Sequence, residues 1–336
     1  MGELFLNPQL DSEIAAAIAA LPADSRWRTL SGDRPKFGPI TARRAVMLAD
    51  SLTDDQLRHG GRIDFDERMI PGPAGAPDIA ALILRPTAPP SPGPLPCVYY
   101  LHGSGMVMPG NRTMLNEEHL SWVADLGAVL VSIDYRVAPE DPHPAPVEDA
   151  FAGLVWTAEH AAELGIDSGR LILAGRSGGG GVAAGAALLN RDRSGPELTH
   201  QILICPMLDD REITVSSTFE GIPWDRLANR SGWAALLGDA RGGPDVSEYG
   251  APARAGDLSG LPPTYLDTGL YEVFRDEIID YGTRLLQSGV QVELHVWAGA
   301  LHGSEKIAPT AEVTLAAIAA RRSYFQRALR PRRADR

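Results

Sequence analysis

The chain has little of what marks secreted, membrane-embedded or nucleic-acid-binding proteins. Only two of its 336 residues are cysteines, Cys97 and Cys205. Each lies in or beside a short apolar run, where a thiol usually packs as a small hydrophobic group. The N-terminus lacks the pattern of a secretory leader, and nowhere do about eighteen apolar residues follow one another. These absences predict no disulfide, no transmembrane helix and, by default, a cytoplasmic location.

Positive charge is also scarce. The sequence has 31 Lys and Arg against 43 Asp and Glu, a formal net charge of −12. Phosphate-rich surfaces would be repelled, so neither nucleic acid nor an anionic membrane is expected as a partner. With 336 residues and 44% hydrophobic content, the chain can bury one large core or two modest ones.

Short apolar runs alternate with helix-like segments over most of the chain. Residues 63–65 and 79–84 flank a Pro- and Gly-rich segment and predict two antiparallel strands. Later runs suit strands buried on both faces of a parallel sheet: residues 97–101, 128–133, 171–174, 202–205, 264–266 and 290–297. The helices expected between them span residues 146–160, 180–190, 276–288 and 310–329. The pattern predicts an α/β fold with a mostly parallel central sheet flanked by helices.

Residues 175–179, Gly-Arg-Ser-Gly-Gly, join one of these strands to a helix-like run. A serine on a sharp strand-to-helix turn needs glycine two residues before and after it, because the strained backbone leaves no room for side chains. Ser177 is therefore a candidate nucleophile. Gly178, Gly180 and Ala183 also satisfy a dinucleotide-binding spacing, so the turn alone leaves phosphate binding open.

Two loops at the carboxyl edge of the expected sheet carry further candidates. Residues 102–105, His-Gly-Ser-Gly, follow the first parallel strand, and their backbone N–H groups could hold an oxyanion together with that of Gly178. His302 follows the last strand, where a general base would be needed.

An acid is then required between Ser177 and His302 to orient the imidazole. The loop after residues 264–266 offers four candidates: Asp267, Glu272, Asp276 and Glu277. Asp276 and Glu277 begin a predicted helix, where acidic residues commonly favour the helix dipole, so we expect structural roles for them.

Seven segments together resemble one family, and they span roughly residues 60 to 330. They are residues 99–105, 134–140, 144–149, 175–179, 261–263, 274–277 and 299–303. On these motifs the chain is similar to the hormone-sensitive-lipase-like family of α/β-hydrolases, in its bacterial esterase branch. The resemblance implies the α/β-hydrolase fold with a helical cap.

The resemblance also implies site residues. The family acid stands three residues before the Arg-Asp-Glu run at 275–277, which makes the implied triad Ser177, Glu272 and His302. The implied oxyanion hole consists of Gly103, Ser104, Gly105 and Gly178. Ser104 stands where the family usually has glycine, and Arg176 stands where the family usually has an acidic residue. The side chain of Ser104 restricts φ and takes up space, so we expect a confined site.

Two stretches do not fit the strand–helix alternation. Residues 1–55 show no strand pattern, and residues 208–258 are longer than an ordinary connection. We expect an N-terminal cap segment over 1–55, a cap insertion over 208–258, and a catalytic domain formed by 56–207 and 259–336. Plausible pocket-lining side chains are Met106, Val107, Met207, Trp224 and Trp233.

The implied activity is a serine carboxylesterase that hydrolyses short acyl esters through an acyl-enzyme. No metal or diffusible cofactor is expected, and the partner would be a small-molecule ester. An amidase or lactonase with the same triad stays open, since only the leaving group differs, and so does a ligand receptor on this fold. The oligomeric state is open as well, with a homodimer among the options.

Overall fold

One sheet organises the structure. The computed structural model describes residues 9–22, 25, 40–49, 51–90, 92–103 and 105–330. Within these residues the strands are β1 (Ile63–Ile70), β2 (Ile79–Pro86), β3 (Leu95–Leu101), β4 (Val129–Ile133), β5 (Ile166–Arg176), β6 (His200–Ile204), β7 (Thr264–Tyr271) and β8 (Val292–Leu301). They lie in the order β1-β2-β4-β3-β5-β6-β7-β8. β2 is antiparallel to β1 and β4, and the other neighbours are parallel, as predicted.

The helices connect these strands in sequence. They are α1 (Ser12–Ala20), α2 (Ile40–Ala49), α3 (Asp54–Arg58), α4 (Glu117–Ala124), α5 (Ala145–Glu159), α6 (Ala161–Leu164), α7 (Gly178–Asp192), α8 (Arg226–Leu237), α9 (Arg275–Gln287), α10 (Ser304–Ile307) and α11 (Glu312–Ala328). Short 3₁₀ turns occur at His59–Gly61, Ser216–Thr218, Gly238–Ala240 and Pro252–Arg254. No helix in the described part of the chain is both long and apolar enough to cross a membrane.

The sheet separates two apolar layers, because successive side chains of a strand point to opposite faces. On β3, Cys97, Tyr99 and Leu101 face a cluster formed with α5, α7 and α9. Val98 and Tyr100 face a second cluster formed with α3, α4 and α11. The resulting three-layer packing places the carboxyl ends of the neighbouring strands β5, β6, β7 and β8 at one edge of the sheet, where loops can form a site.

The strand predicted at residues 264–266 is longer than expected. β7 continues to Tyr271 and pairs with β8 along this length, with a register shift near Gly269. The prediction that Asp267 follows this strand is therefore wrong, because Asp267 lies inside it. Glu272 is the first residue beyond the strand.

The N-terminal helices lie against loops at the carboxyl edge of the sheet. The backbone N–H of Asp11, the N-cap of α1, donates to the Gly299 carbonyl at the end of β8. From α2, the Arg44 guanidinium donates to the Val107 and Ala138 carbonyls at 2.8 and 2.9 Å. These contacts attach the predicted cap segment to the loops that follow β3, β4 and β8.

The segment predicted as an insertion, residues 208–258, contains α8 and is closed at its base. The Asp210 carboxylate accepts hydrogen bonds from Arg254 at 2.5 and 3.0 Å. The Ala253 N–H donates to the Leu208 carbonyl at 3.1 Å. The beginning and end of the insertion are therefore held together beside the sheet.

Candidate active site

Ser177 lies on a strained turn between β5 and α7. Its φ is 54° and its ψ is −125°, a conformation that costs a non-glycine residue about 1–3 kcal/mol. Its N–H donates to the Ile204 carbonyl at 2.9 Å, and its own carbonyl accepts from Gly181 and Met207 at 3.1 Å. These backbone bonds hold the serine at the carboxyl edge of the sheet.

Glycine is required at the start of α7 because other backbone lies against it. A Cβ on Gly178 would lie 2.6 Å from the amide nitrogens of Gly105 and Met106. A Cβ on Gly179 would overlap the carbonyl oxygens of Leu101 and His102. The first turn of α7 therefore packs directly on the loop that follows β3.

Three side chains form a continuous chain of hydrogen bonds. Ser177 Oγ lies 3.0 Å from His302 Nε2, and His302 Nδ1 lies 2.5 Å from Glu272 Oε1. The other carboxylate oxygen of Glu272 accepts from Thr268 Oγ1 at 3.3 Å and from the Gly269 N–H at 3.2 Å. Glu272 is 1% exposed, so its charge faces the imidazole in a site largely closed to water. The arrangement can move a proton from the serine to the histidine.

The surroundings of His302 favour its charged form. Burial of the ring opposes a positive charge, but the Cys205 sulfur and the Glu272 carboxylate beside it outweigh this effect and raise the pKa of His302 above its ordinary value of 6.5. A base with a raised pKa accepts a proton readily, yet it is neutral only at higher pH.

Asp267, the other acid directly beside this region, has different partners. Its Oδ2 accepts from Arg321 Nε at 2.6 Å and from the Tyr265 hydroxyl at 3.1 Å. Arg321 also donates to Glu118 at 3.3 Å, which ties α11 and α4 to β7. These contacts assign Asp267 to an ion-paired network that joins helices to the sheet.

Asp276 and Glu277, at the start of α9, hold the insertion. Asp276 Oδ2 accepts from the Ser216 N–H at 2.8 Å. Glu277 Oε1 accepts from the N–H groups of Leu208 and Asp209 at 2.7 and 3.2 Å. Burial raises the pKa of Glu277 well above its ordinary value despite these donors. The structure thus gives both residues contacts that anchor the segment after β6.

The loop predicted to bind an oxyanion lies against the nucleophile turn. A Cβ on Gly103 would lie 3.4 Å from Ser177 Cβ, and Gly105 adopts a φ of 56°. With Gly178 directly opposite, the structure brings three of the four predicted oxyanion residues together around Ser177. Ser104, the fourth, lies outside the described residues.

His102 packs on Tyr135 at the start of this loop. Its ring stacks on Tyr135 with centroids 4.4 Å apart, and the Tyr135 hydroxyl donates to the His102 carbonyl at 2.8 Å. Burial lowers the pKa of His102 to about 4, so the ring is neutral at physiological pH.

The five predicted lining residues divide into two groups. Met106, Val107, Met207 and Trp233 are at most 1% exposed and belong to the apolar core. Trp224, only partly buried, lies beside the site: its ring centroid is 6.4 Å from that of His302, and its six-membered ring covers Gly105. Trp224 therefore forms one wall next to the triad, whereas a lining role for the other four stays a prediction.

A buried ion pair links the nucleophile turn to the histidine loop. Arg176, 3% exposed and directly before Ser177, pairs with Glu305 on α10, three residues after His302. Burial would raise the pKa of Glu305, but Arg176 outweighs that effect and lowers it. The sequence showed that Arg176 was unusual but could not identify its partner, because the two residues are 129 positions apart.

Cys205, expected to pack as a hydrophobic residue, also contacts the site. It is 4% exposed and lies in the apolar layer that faces α4 and α11, yet its Sγ belongs to a group of donor atoms with Glu272 and His302 in which no two atoms are more than 4.8 Å apart. These are the residues of the site that could hold a metal ion. Its position directly after β6, at the carboxyl edge, was the available signal in the sequence.

A wide surface groove elsewhere is not part of this site. It measures about 1110 Å³ and is bordered by residues 71–77 and by α5. Ser177, Glu272 and His302 do not line this groove, so its volume says nothing about the space beside these three residues.

Comparison with known proteins identifies the class of protein to which the chain belongs. A family model described as alpha/beta hydrolase fold matches residues 98–305. Esterase LipI of Mycobacterium tuberculosis is 37% identical over 238 residues, which are 70% of this chain and 72% of that protein. A solved bacterial heroin esterase is 37% identical with a TM-score of 0.81, covering 97% of this chain and 99% of that chain. Esterase LipW from Mycobacterium marinum is 32% identical with a TM-score of 0.77, covering 96% and 97%.

These matches define an α/β-hydrolase and confirm the predicted fold. Within that class, the chain belongs to the hormone-sensitive-lipase-like family, in its bacterial esterase branch, as the sequence motifs predicted.

The ion pair between Arg176 and Glu305 should position the catalytic groups. Glu305→Gln leaves a buried guanidinium without its charged partner, and a displacement of either loop by about 1 Å should lower kcat by roughly 10²-fold while KM changes little. The double variant that exchanges the two charges, Arg176→Glu with Glu305→Arg, should recover at least about a tenth of the kcat that Glu305→Gln loses.

A matched control is available at the surface. Glu163, whose side chain is 56% exposed, pairs with Arg68 at 2.5 Å, and Glu163→Gln should leave kcat unchanged. Unaltered kcat in a folded Glu305→Gln enzyme would show that the buried pair does not position the site.

The raised pKa of His302 predicts a shifted pH profile. Only the neutral imidazole accepts a proton, so kcat/KM should rise with pH through the pKa of His302, and the midpoint should lie above 6.5. Glu272→Gln removes the carboxylate that favours the charged ring and should move the pKa downward. Titration of the His302 ring protons by NMR in both proteins measures this shift, and an unmoved pKa would contradict the assigned cause.

Proposed function

We propose that the chain is a serine carboxylesterase that hydrolyses short acyl esters through a covalent acyl-enzyme. The main observation behind this proposal is the chain of hydrogen bonds that runs from Ser177 Oγ through His302 to Glu272. The esterase relatives support the same class. The proposed partner is a small-molecule ester, and a cytoplasmic location stays a prediction from the sequence.

The proposed mechanism uses each side chain at a stated atom. His302 Nε2 takes the proton of Ser177 as Oγ attacks the ester carbonyl, and the Glu272 carboxylate stabilises the imidazolium through Nδ1–H. Backbone N–H groups of Gly178 and of the loop at 103–105 receive the developing oxyanion. The imidazolium then protonates the leaving alcohol. Water, deprotonated by the same histidine, releases the acid and restores Ser177.

A cap formed by residues 1–55 and 208–258 would confine the substrate. Trp224, from the proposed cap insertion, covers Gly105 and stands beside His302. On α8, a Cβ on Gly232 would lie 3.0 Å from the Gly105 carbonyl oxygen, so this helix packs closely on the same loop. Trp224 and α8 thus lie close to the loop beside Ser177, a placement that favours short acyl groups.

The identity of the acid can be tested with two isosteric variants. Glu272→Gln keeps the shape but removes the charge that stabilises imidazolium, so kcat should fall by about 10⁴-fold. Asp267→Asn should instead lower the free energy of unfolding by a few kcal/mol, because Arg321 loses a buried partner, while kcat falls far less.

Steady-state kinetics and urea unfolding on both variants distinguish these effects. A folded but inactive Asp267→Asn enzyme beside a nearly normal Glu272→Gln enzyme would transfer the catalytic role to Asp267.

Acyl-chain preference tests the confined site. Among soluble p-nitrophenyl esters, kcat/KM should be higher for C4 than for C12 acyl groups, because the proposed cap leaves less room for the longer chain. Ser177→Ala and His302→Ala should each lower kcat by about 10⁴- to 10⁶-fold, and the double variant should lose little more, since the two residues act as a unit.

A preference for C12 would refute the confined pocket, and esterase activity that survives Ser177→Ala would refute the proposed nucleophile. Parallel assays of a matched anilide and a lactone detect an amidase or a lactonase with the same triad.

A further inference from the structure

Three side chains with different metal-donor atoms lie close together in the candidate site. The Cys205 Sγ, one carboxylate oxygen of Glu272 and one ring nitrogen of His302 all lie within 4.8 Å of one another. The three residues also border a small, partly open cavity of about 20 Å³. A space of about 10–15 Å³ is enough for one water molecule, so the cavity can accept a single small species next to all three donors.

The donor set matches zinc. Thiolate, imidazole and carboxylate bind Zn²⁺ at about 2.3, 2.0–2.1 and 2.0–2.2 Å in a tetrahedral arrangement, which places the donor atoms about 3.3–3.6 Å apart. Glu272 Oε1, now 2.5 Å from His302 Nδ1, would withdraw by about 1 Å, and Cys205 would approach by a similar amount.

The other buried charges near the cavity are already paired, Arg176 with Glu305 and Arg321 with Asp267 and Glu118. Glu272 interacts with Thr268, Gly269 and His302, so it is the carboxylate that faces the donor group. Zn²⁺ would compete with a proton for the imidazole of His302, and its binding to the charged ring would release that proton to solvent.

We propose that Cys205, Glu272 and His302 form a reversible inhibitory site for Zn²⁺, with a water molecule as the fourth ligand. The Cys205 thiol releases its proton to solvent when the Zn–S bond forms. A metal on His302 Nδ1 leaves the ring proton on Nε2, and a metal on Nε2 occupies the lone pair directly. In either case His302 can no longer accept the proton of Ser177. The inhibition rests on the proposed triad, but the metal binding does not.

Inhibition by ZnCl₂ tests the role of the thiol. Initial rates with p-nitrophenyl butyrate are measured against Zn²⁺ concentration, each variant relative to its own metal-free rate. Cys205→Ser keeps the size of the side chain but removes the thiolate, so the inhibition constant should rise at least about tenfold. Cys97→Ser is the matched control, since Cys97 is the other free buried cysteine and lies inside β3 away from the site. Its inhibition constant should equal that of the wild type.

Excess chelator should restore the rate of the inhibited enzyme. Equal inhibition of the wild type and Cys205→Ser would overturn the proposal, as would inhibition that a chelator cannot reverse.

Cobalt(II) provides a readout that does not depend on catalysis. Co²⁺ added to Ser177→Ala should produce the near-ultraviolet thiolate-to-cobalt band of a tetrahedral site, and the band should be absent in Ser177→Ala with Cys205→Ser. It should persist in Ser177→Ala with Cys97→Ser. A protein without esterase activity that still shows the Cys205-dependent band would refute the proposed function and support the metal site. An active enzyme that lacks the band would support the proposed function and refute the metal site.

Discussion

The conformation of Ser177 depends on close backbone packing between the first turn of α7 and the loop after β3. Gly178 and Gly179 lie against backbone atoms of Leu101, His102, Gly105 and Met106, where a Cβ would collide with amide nitrogens or carbonyl oxygens. The same contact determines the position of the predicted oxyanion loop relative to the serine, since Gly103 and Gly105 form the other side of it. The energetic cost of a positive φ at Ser177 is therefore met by packing that also assembles the site.

Buried charges connect this turn to the rest of the fold. Arg176 reaches Glu305 next to the histidine loop, and Arg321 joins α11 to Asp267 in β7. Groups so deeply buried are stable only when paired, which restricts how the loops after β5, β7 and β8 can move relative to one another. Glu272 differs from these carboxylates because its principal partner is the imidazole. Against the effect of burial, the Cys205 sulfur and this pairing together raise the pKa of His302.

Local patterns in the sequence predicted most of the sheet and the position of the serine turn. Apolar runs marked the strands because both faces of the sheet are covered, and glycine spacing marked Ser177 because its turn excludes side chains. The choice of Glu272 over Asp267 came from family resemblance, and it gains support from the bond to His302 and from the extension of β7 past Asp267. The partner of Arg176 and the contact between Cys205 and His302 depend on residues far apart in the chain, so periodicity and local motifs could not pair these residues.

Mass spectrometry of the intact protein and of its peptides after a rapid acid quench tests the proposed acyl-enzyme. During turnover of a slowly deacylated aryl ester, we expect one acyl group per chain, attached to the peptide that contains Ser177, and no acyl group in Ser177→Ala. An acyl group on Cys205, or full ester turnover without any adduct on Ser177 at any quench time, would contradict the proposed mechanism.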